Sequence, residues 1–245
     1  MADRCAELIS DAGPACVAVK PQLACFERLG APGWSALERV IAAAKEAGLL
    51  VVADGKRGDV PTTARAYGQA LVGSTETPWG RVQGLGADAF TANPLLGSDA
   101  LEPLVDAARE AGAGVFALVR TSNPGAAELQ DADAGGLPIH ERIAALVADA
   151  APALAGEATQ LSGMGAVVGA TAPEHLARLR ELMPHAIFLI PGVGAQGGRP
   201  EDLGPALAAD SPASILVAAA RSIAGADDPG AAAEELRGAL WALTS

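Results

Sequence analysis

Val51-Val52-Ala53-Asp54-Gly55-Lys56-Arg57-Gly58-Asp59-Val60-Pro61-Thr62-Thr63 is the stretch on which the fold turns. An apolar run ends in Asp-x-Lys-x-x-Asp, and a helical pattern begins directly after it. A strand buried on both faces reads as such a continuous apolar run, not as an alternation. Outward from this stretch the same pattern repeats. Apolar runs stand at 15–20, 49–54, 87–92, 114–120, 165–169, 186–190 and 214–218. Amphipathic stretches lie between them at 34–47, 62–72, 99–111, 140–154, 173–182 and 229–243, and another precedes the first run at about 3–12. Pro173-Glu174 and Pro200-Glu201-Asp202 mark helix starts, and Gly48 and Gly112 mark ends.

Strand alternating with helix implies parallel pairing through right-handed crossovers. The expectation is an α/β fold, a (β/α)8 TIM barrel with seven recognisable strands and its first strand missing. A helical segment leads the chain where a barrel would begin with a strand. An open doubly wound sheet is the alternative. No low-complexity linker divides the 245 residues, so a single domain over 1–245 is expected. Residues 73–86, with Gly-rich sequence around Trp79, match no element.

A net charge of −12 argues against a general nucleic-acid binder, which would carry a basic face. No run of 18 apolar residues spans a membrane, and no charged-then-apolar leader opens the chain. Cys5, Cys16 and Cys25 fit no zinc spacing and read as reduced thiols, so a cytoplasmic location is expected. No dinucleotide fingerprint or metal-ligand cluster is visible, so neither cofactor nor metal is expected. His140, His175 and His185 read as surface or packing residues. Residues 128–133 read as a solvated loop or part of a lid.

Only three lysines occur, and two of them, Lys20 and Lys56, end apolar runs. Strand periodicity points Asp54 and Lys56 to one side. If that side is a barrel interior, both sit at the C-terminal rim, where barrel active sites lie. Lys20, Asp54, Lys56 and Asp59 then form an alternating chain of charge, in which carboxylates keep the ammonium groups protonated and fixed. An isolated Asp-x-Lys is equally an ordinary surface ion pair, and Lys20 equally a snorkelling lysine. Farther on, Pro191-Gly192-Val193-Gly194-Ala195-Gln196-Gly197-Gly198 follows a strand, and the next strand runs into Arg221-Ser222. Glycines admit an anion to backbone N–H groups, while Gln196 and Arg221 add side-chain donors. Barrels often bind phosphate with the loops after their last two strands.

Asp54-Gly55-Lys56-Arg57-Gly58-Asp59-Val60, Lys20-Pro21, Thr121-Ser122-Asn123-Pro124-Gly125 and Pro191 to Gly198 together resemble the orotidine 5′-phosphate decarboxylases. Thr91-Ala92-Asn93-Pro94-Leu95-Leu96-Gly97 resembles the subgroup common in actinobacteria. The likeness runs in order from about Asp11 to the C-terminus. It implies a cofactor-independent decarboxylation of orotidine 5′-phosphate to uridine 5′-phosphate, with Lys56 as proton donor beside Asp54 and Lys20. It implies a homodimer with shared sites, in which Asp59 and Thr63 serve the partner. Ser122 would bind the pyrimidine, Gln196 and Arg221 the phosphate, and Pro191 and Val193 would line the pocket, with Asn93 at the rim. Two positions depart from the pattern. The family's Gly-x-Asp-Pro motif, whose aspartate contacts the ribose, is not found before Lys20, and Gly55 stands where the family usually has Ala. Two other readings remain open: a Mg2+-dependent sugar-phosphate decarboxylase, which EDTA would inhibit, and a truncated, non-catalytic phosphate-ligand barrel.

Overall fold

The computed structural model describes residues 1–208 and 211–244. The strands are β1 (Ala18–Val19), β2 (Leu50–Arg57), β3 (Ser74–Thr77), β4 (Gly80–Gln83), β5 (Ala89–Ala92), β6 (Gly114–Arg120), β7 (Ser162–Val168), β8 (Ala186–Pro191) and β9 (Ile215–Ala218). The helices are α1 (Ala2–Ala12), α2 (Leu23–Glu27), α3 (Ala31–Glu46), α4 (Pro61–Leu71), α5 (Ser98–Ala111), α6 (Ala126–Leu129), α7 (Ile139–Ala150), α8 (Leu176–Leu182), α9 (Arg221–Ala224) and α10 (Pro229–Trp241). Seven strands form one parallel sheet in the order β1-β2-β5-β6-β7-β8-β9. All seven expected strands and all seven expected long helical segments are present. The stretch that matched no element is the antiparallel β3–β4 hairpin, with Trp79 92% exposed at its turn.

Strand alternation sorts the core into two layers. Val51, Ala53, Phe90, Val115, Ala117, Ala166, Val168, Phe188 and Ile190 face the helices. Their neighbours Val52, Ala89, Phe116, Val167 and Leu189, one from each of five adjacent strands, form a separate inner cluster. A parallel sheet with side chains packed on both faces and helices on one of them is a barrel wall, which decides against the doubly wound alternative. Gly165 belongs to this packing: a Cβ there would lie 2.6 Å from the Phe116 ring and 2.6 Å from the Ile187 carbonyl oxygen.

The ring is not closed. Among the described residues β1 and β9 each pair on one side only. Both edges line one groove of about 780 Å3, walled by Val17 and Ala18 on one side, Ile215 to Ala218 on the other, and α10 behind. The seven strands thus curl into a barrel wall that stays open between β1 and β9.

Helix ends follow local chemistry. Pro61 opens α4 at a position where no N–H is needed. Gly112 closes α5 in the left-handed conformation, with φ 66°. Asp228 caps α10 by accepting the Ala231 N–H at 2.9 Å.

Arg180 on α8 is the buried cation of the outer layer. Its guanidinium donates to the carbonyls of Ala206, Met183, Ala186 and Ser214 at 2.7–3.1 Å. It also stacks 3.8 Å from the Phe188 ring centre. Burial lowers its pKa to about 10, which still leaves it charged at neutral pH. Arg180→Ala removes donors from four carbonyls at once. It lowers unfolding stability by about 3 kcal/mol, read from urea denaturation, because buried acceptors lose partners.

Candidate active site

Asp54 organises the pocket. It lies on the inner face of β2, two residues after Val52, and is 4% exposed. Lys20, just past β1, donates from Nζ to Asp54 Oδ2 at 2.5 Å. Lys56 donates from Nζ to Oδ1 at 2.6 Å. Gln22 Nε2 reaches Oδ2 at 3.3 Å, and the Thr91 hydroxyl donates to Oδ1 at 2.9 Å. The carboxylate thus sits between two ammonium groups with two neutral donors. Burial alone would raise its pKa, but the charges and hydrogen bonds of Lys20 and Lys56 outweigh burial and hold it below the ordinary value.

Periodicity accounts for only part of the Asp54–Lys56 pairing. Between Ala53 and Arg57 the β2–β5 register shifts, and Lys56 has φ 49°. It is the only non-glycine with positive φ among the described residues. The strand therefore bulges as it leaves the sheet, and the lysine is aimed by that bulge. Gly58, immediately beyond, packs its backbone against Asn93: a Cβ there would meet the Asn93 carbonyl oxygen at 2.3 Å. At Gly55 an added methyl would lie 3.0 Å from Leu23, a tight fit against a movable side chain.

Lys20, Asp54, Lys56, Ser122, Pro191 and Gln196 line one cavity of about 490 Å3 at the C-terminal ends of the strands. Leu118, Val167 and Leu189 lie below them as an apolar floor. Ser122 donates to Gln196 Oε1 at 2.8 Å, joining the loops after β6 and β8 across the cavity. Val193 and Arg221 line the adjoining groove, which shares Lys20, Pro191 and Gln196 with the cavity. Lys20, Asp54, Lys56 and the Gln196 loop, singled out in the sequence, thus line one cavity.

Asp59, Thr63 and Asn93 stand outside this lining. Asp59 accepts the Val60 N–H at 2.7 Å just before α4, and Thr63 is half-buried in the first turn of that helix. Asn93 is exposed and accepts the Leu95 N–H at 3.1 Å.

Sequence reading missed Gln22, Thr91, Thr121, Asn123 and Gln130, all of which line the cavity. Thr91 carried a usable signal, a polar residue at the end of a fully buried run. His140, expected to be a surface or packing residue, is packed behind the loop that carries Gln130. It is 2% exposed, and its Nδ1 lies 2.8 Å from the Gln130 carbonyl oxygen and 3.1 Å from Asp131 Oδ1. The Gln130 side chain in turn accepts from the Thr121 N–H at 2.7 Å. Residues 128–133 are likewise anchored, because Arg120 grips Asp131 with two hydrogen bonds at 2.8 and 2.9 Å. A fork-to-carboxylate pair fixes orientation as well as distance.

Seven parallel strands around a charged pocket at their C-terminal ends define an enzyme of the (β/α)-barrel class. The chain belongs to the Orotidine 5'-phosphate decarboxylase / HUMPS family, whose model matches residues 1–236. It is 44% identical over 215 residues to an orotidine 5'-phosphate decarboxylase of Rhodopirellula baltica, across 86% of this chain and 69% of that protein. It is 44% identical over 243 residues to the orotidine 5'-phosphate decarboxylase of Deinococcus radiodurans, across 96% of this chain and 84% of that one. The solved OMP decarboxylase of Leishmania donovani superposes with a TM-score of 0.80 at 36% identity, covering 99% of this chain and 87% of its own.

Proposed function

We propose that this chain decarboxylates orotidine 5′-phosphate to uridine 5′-phosphate, the step that yields the pyrimidine nucleotide, without a cofactor. The family membership and the named relatives support the reaction. The Lys20–Asp54–Lys56 array is the observation that carries the site assignment.

Breaking the C6–carboxylate bond releases CO2 and leaves an electron pair on C6 with no adjacent sink. A fixed positive charge is the natural means of stabilising it, because preorganised groups need no rearrangement as charge develops. Lys56 supplies that charge and transfers a proton from its ammonium to C6, then regains one from water. Asp54 holds Lys56 and faces the substrate carboxylate, while Lys20 balances Asp54. Ser122 binds the pyrimidine, Gln196 and Arg221 take the phosphate, and Pro191 and Val193 flank them. Phosphate binding, remote from the bond broken, favours the transition state by fixing the substrate in place. Incubating the purified protein with orotidine 5′-phosphate and following CO2 release tests the reaction. Tight uridine 5′-phosphate binding without any turnover would instead favour the non-catalytic barrel.

The active unit in this reading is a homodimer, with Asp59 and Thr63 entering the partner's site. Both residues are accessible at the start of α4 and unused by their own chain's pocket. The prediction is complementation. Lys56→Ala and Asp59→Ala proteins, each inactive, regain roughly one quarter of wild-type activity when mixed and allowed to exchange subunits, since half the dimers then hold one intact site. No helix of the described residues is long and apolar enough to cross a membrane. With Cys5, Cys16 and Cys25 all free, a reducing cytoplasmic setting fits.

A further inference from the structure

Thr91 occupies the inner face of β5, is 1% exposed, and its single hydroxyl makes two contacts. It accepts the backbone N–H of Lys56 at 2.9 Å and donates its proton to Asp54 Oδ1 at 2.9 Å. The first contact answers a problem created by the bulge. Where the β2–β5 register shifts, the Lys56 N–H loses its place in the ladder, and a part-buried donor needs a partner. A side chain of the neighbouring strand supplies it. The second contact has a direction: a hydroxyl can give its one proton to Oδ1 only while that oxygen is unprotonated.

We propose that Thr91 is a positioning residue, whose hydroxyl locks the left-handed bulge at Lys56 and ties it to the orientation of Asp54. One atom then couples the backbone that aims the lysine to the carboxylate that holds its ammonium. The charged groups facing Asp54 are Lys20 and Lys56 alone. Nearby Arg57 is engaged by Glu27 of α2. Removing the Thr91 donor therefore leaves those two ammonium groups in place and moves the carboxyl toward its protonated form.

This inference rests on the decarboxylase reading, so the test carries one readout that is independent of turnover. Thr91→Val keeps the shape and loses the hydroxyl, Thr91→Ser keeps the hydroxyl, and Thr91→Ala guards against poor folding of the valine variant. Thr91→Val and Thr91→Ala are expected to lower kcat by about 10- to 100-fold, the scale of a small misplacement of a reacting group. Uridine 5′-phosphate affinity, measured by calorimetry, should stay unchanged, and Thr91→Ser should recover most of kcat. The Asp54 carboxyl, titrated by 13C NMR, should have its midpoint raised in the valine and alanine variants only. A wild-type kcat in Thr91→Val, an equal loss in Thr91→Ser, or an unmoved Asp54 midpoint would overturn the proposal. An inactive wild-type protein would strike the decarboxylase reading, and the NMR midpoint would still decide the role of Thr91.

Discussion

Lys56→Ala is expected to lower kcat for orotidine 5′-phosphate by about 10,000-fold, because it removes both a proton donor and the charge that stabilises the C6 carbanion. Binding of uridine 5′-phosphate should change far less, since Gln196 and Ser122, across the same cavity, retain their hydrogen bond. Single-turnover kinetics beside calorimetry separates the two effects. Lys56→Arg keeps the charge but not the compact ammonium, and the strand bulge leaves no freedom to re-aim a longer fork. It should recover little. A Lys56→Ala protein that turns over near the wild-type rate would remove the lysine from the chemistry.

Asp54→Asn carries the second large effect. The amide keeps the shape, yet Lys20 and Lys56, each within 2.6 Å of the carboxylate, then face one another without a counter-charge. Activity should fall by about 100- to 1,000-fold, the scale seen when one preorganised electrostatic group is lost. Stability should fall by about 1–3 kcal/mol, less than the roughly 3–5 kcal/mol of a fully dry pair, because the lysine side chains are 26% and 42% exposed and screened by water. The pH dependence gives a sharper signature. The folded-state pKa of Asp54 lies below its unfolded value, so its stabilisation is complete above about pH 4 and fades as the pH falls through the lowered folded value. Asp54→Asn therefore flattens the acid limb of stability while leaving its slope above neutrality unchanged. Chemical denaturation across that range measures it.

Much of this architecture is legible in the residue order, and for physical reasons. Strands buried on both faces read as unbroken apolar runs, so Val51 to Ala53 and Val115 to Val119 declare themselves. Alternation then places Asp54 above Val52 on the inner face, and a charge ending such a run has little use except at a rim. That is why Lys20 and Lys56, far apart in sequence, could be paired in advance. The left-handed turn at Lys56 was not legible, since no Gly or Asn marks it. Its cause lies in another strand, in the Thr91 hydroxyl. Gln22 was hidden for the same reason, because its role depends on the bridge it makes to Asp54. Gln130 joins the site through its side-chain amide and is held from behind by His140 at its backbone carbonyl, contacts that leave no periodic trace. The β3–β4 hairpin escaped because its four-residue strands are polar and exposed, so no burial patterns them.

The open groove between β1 and β9 bears on how rigid the site is. Lys20 stands at one of its walls and Arg221 at the other, with Gln196 between. The charged cluster is braced from the β2–β5 side, through Asp54, Thr91 and the bulge at Lys56. The phosphate side rests on β8 and β9, the latter half-buried along its whole length. Substrate binding should therefore order the loops after β8 and β9 more than it moves Lys56 or Asp54.

A crystal structure of the protein with uridine 5′-phosphate most directly tests whether an anchored ammonium is aimed at the reacting carbon. The account predicts the pyrimidine C6 at roughly 3–3.5 Å from Lys56 Nζ, with the phosphate against Gln196 and Arg221. A nucleotide bound with C6 turned away from Lys56, or with its phosphate on the Lys20–Asp54 side, would contradict it.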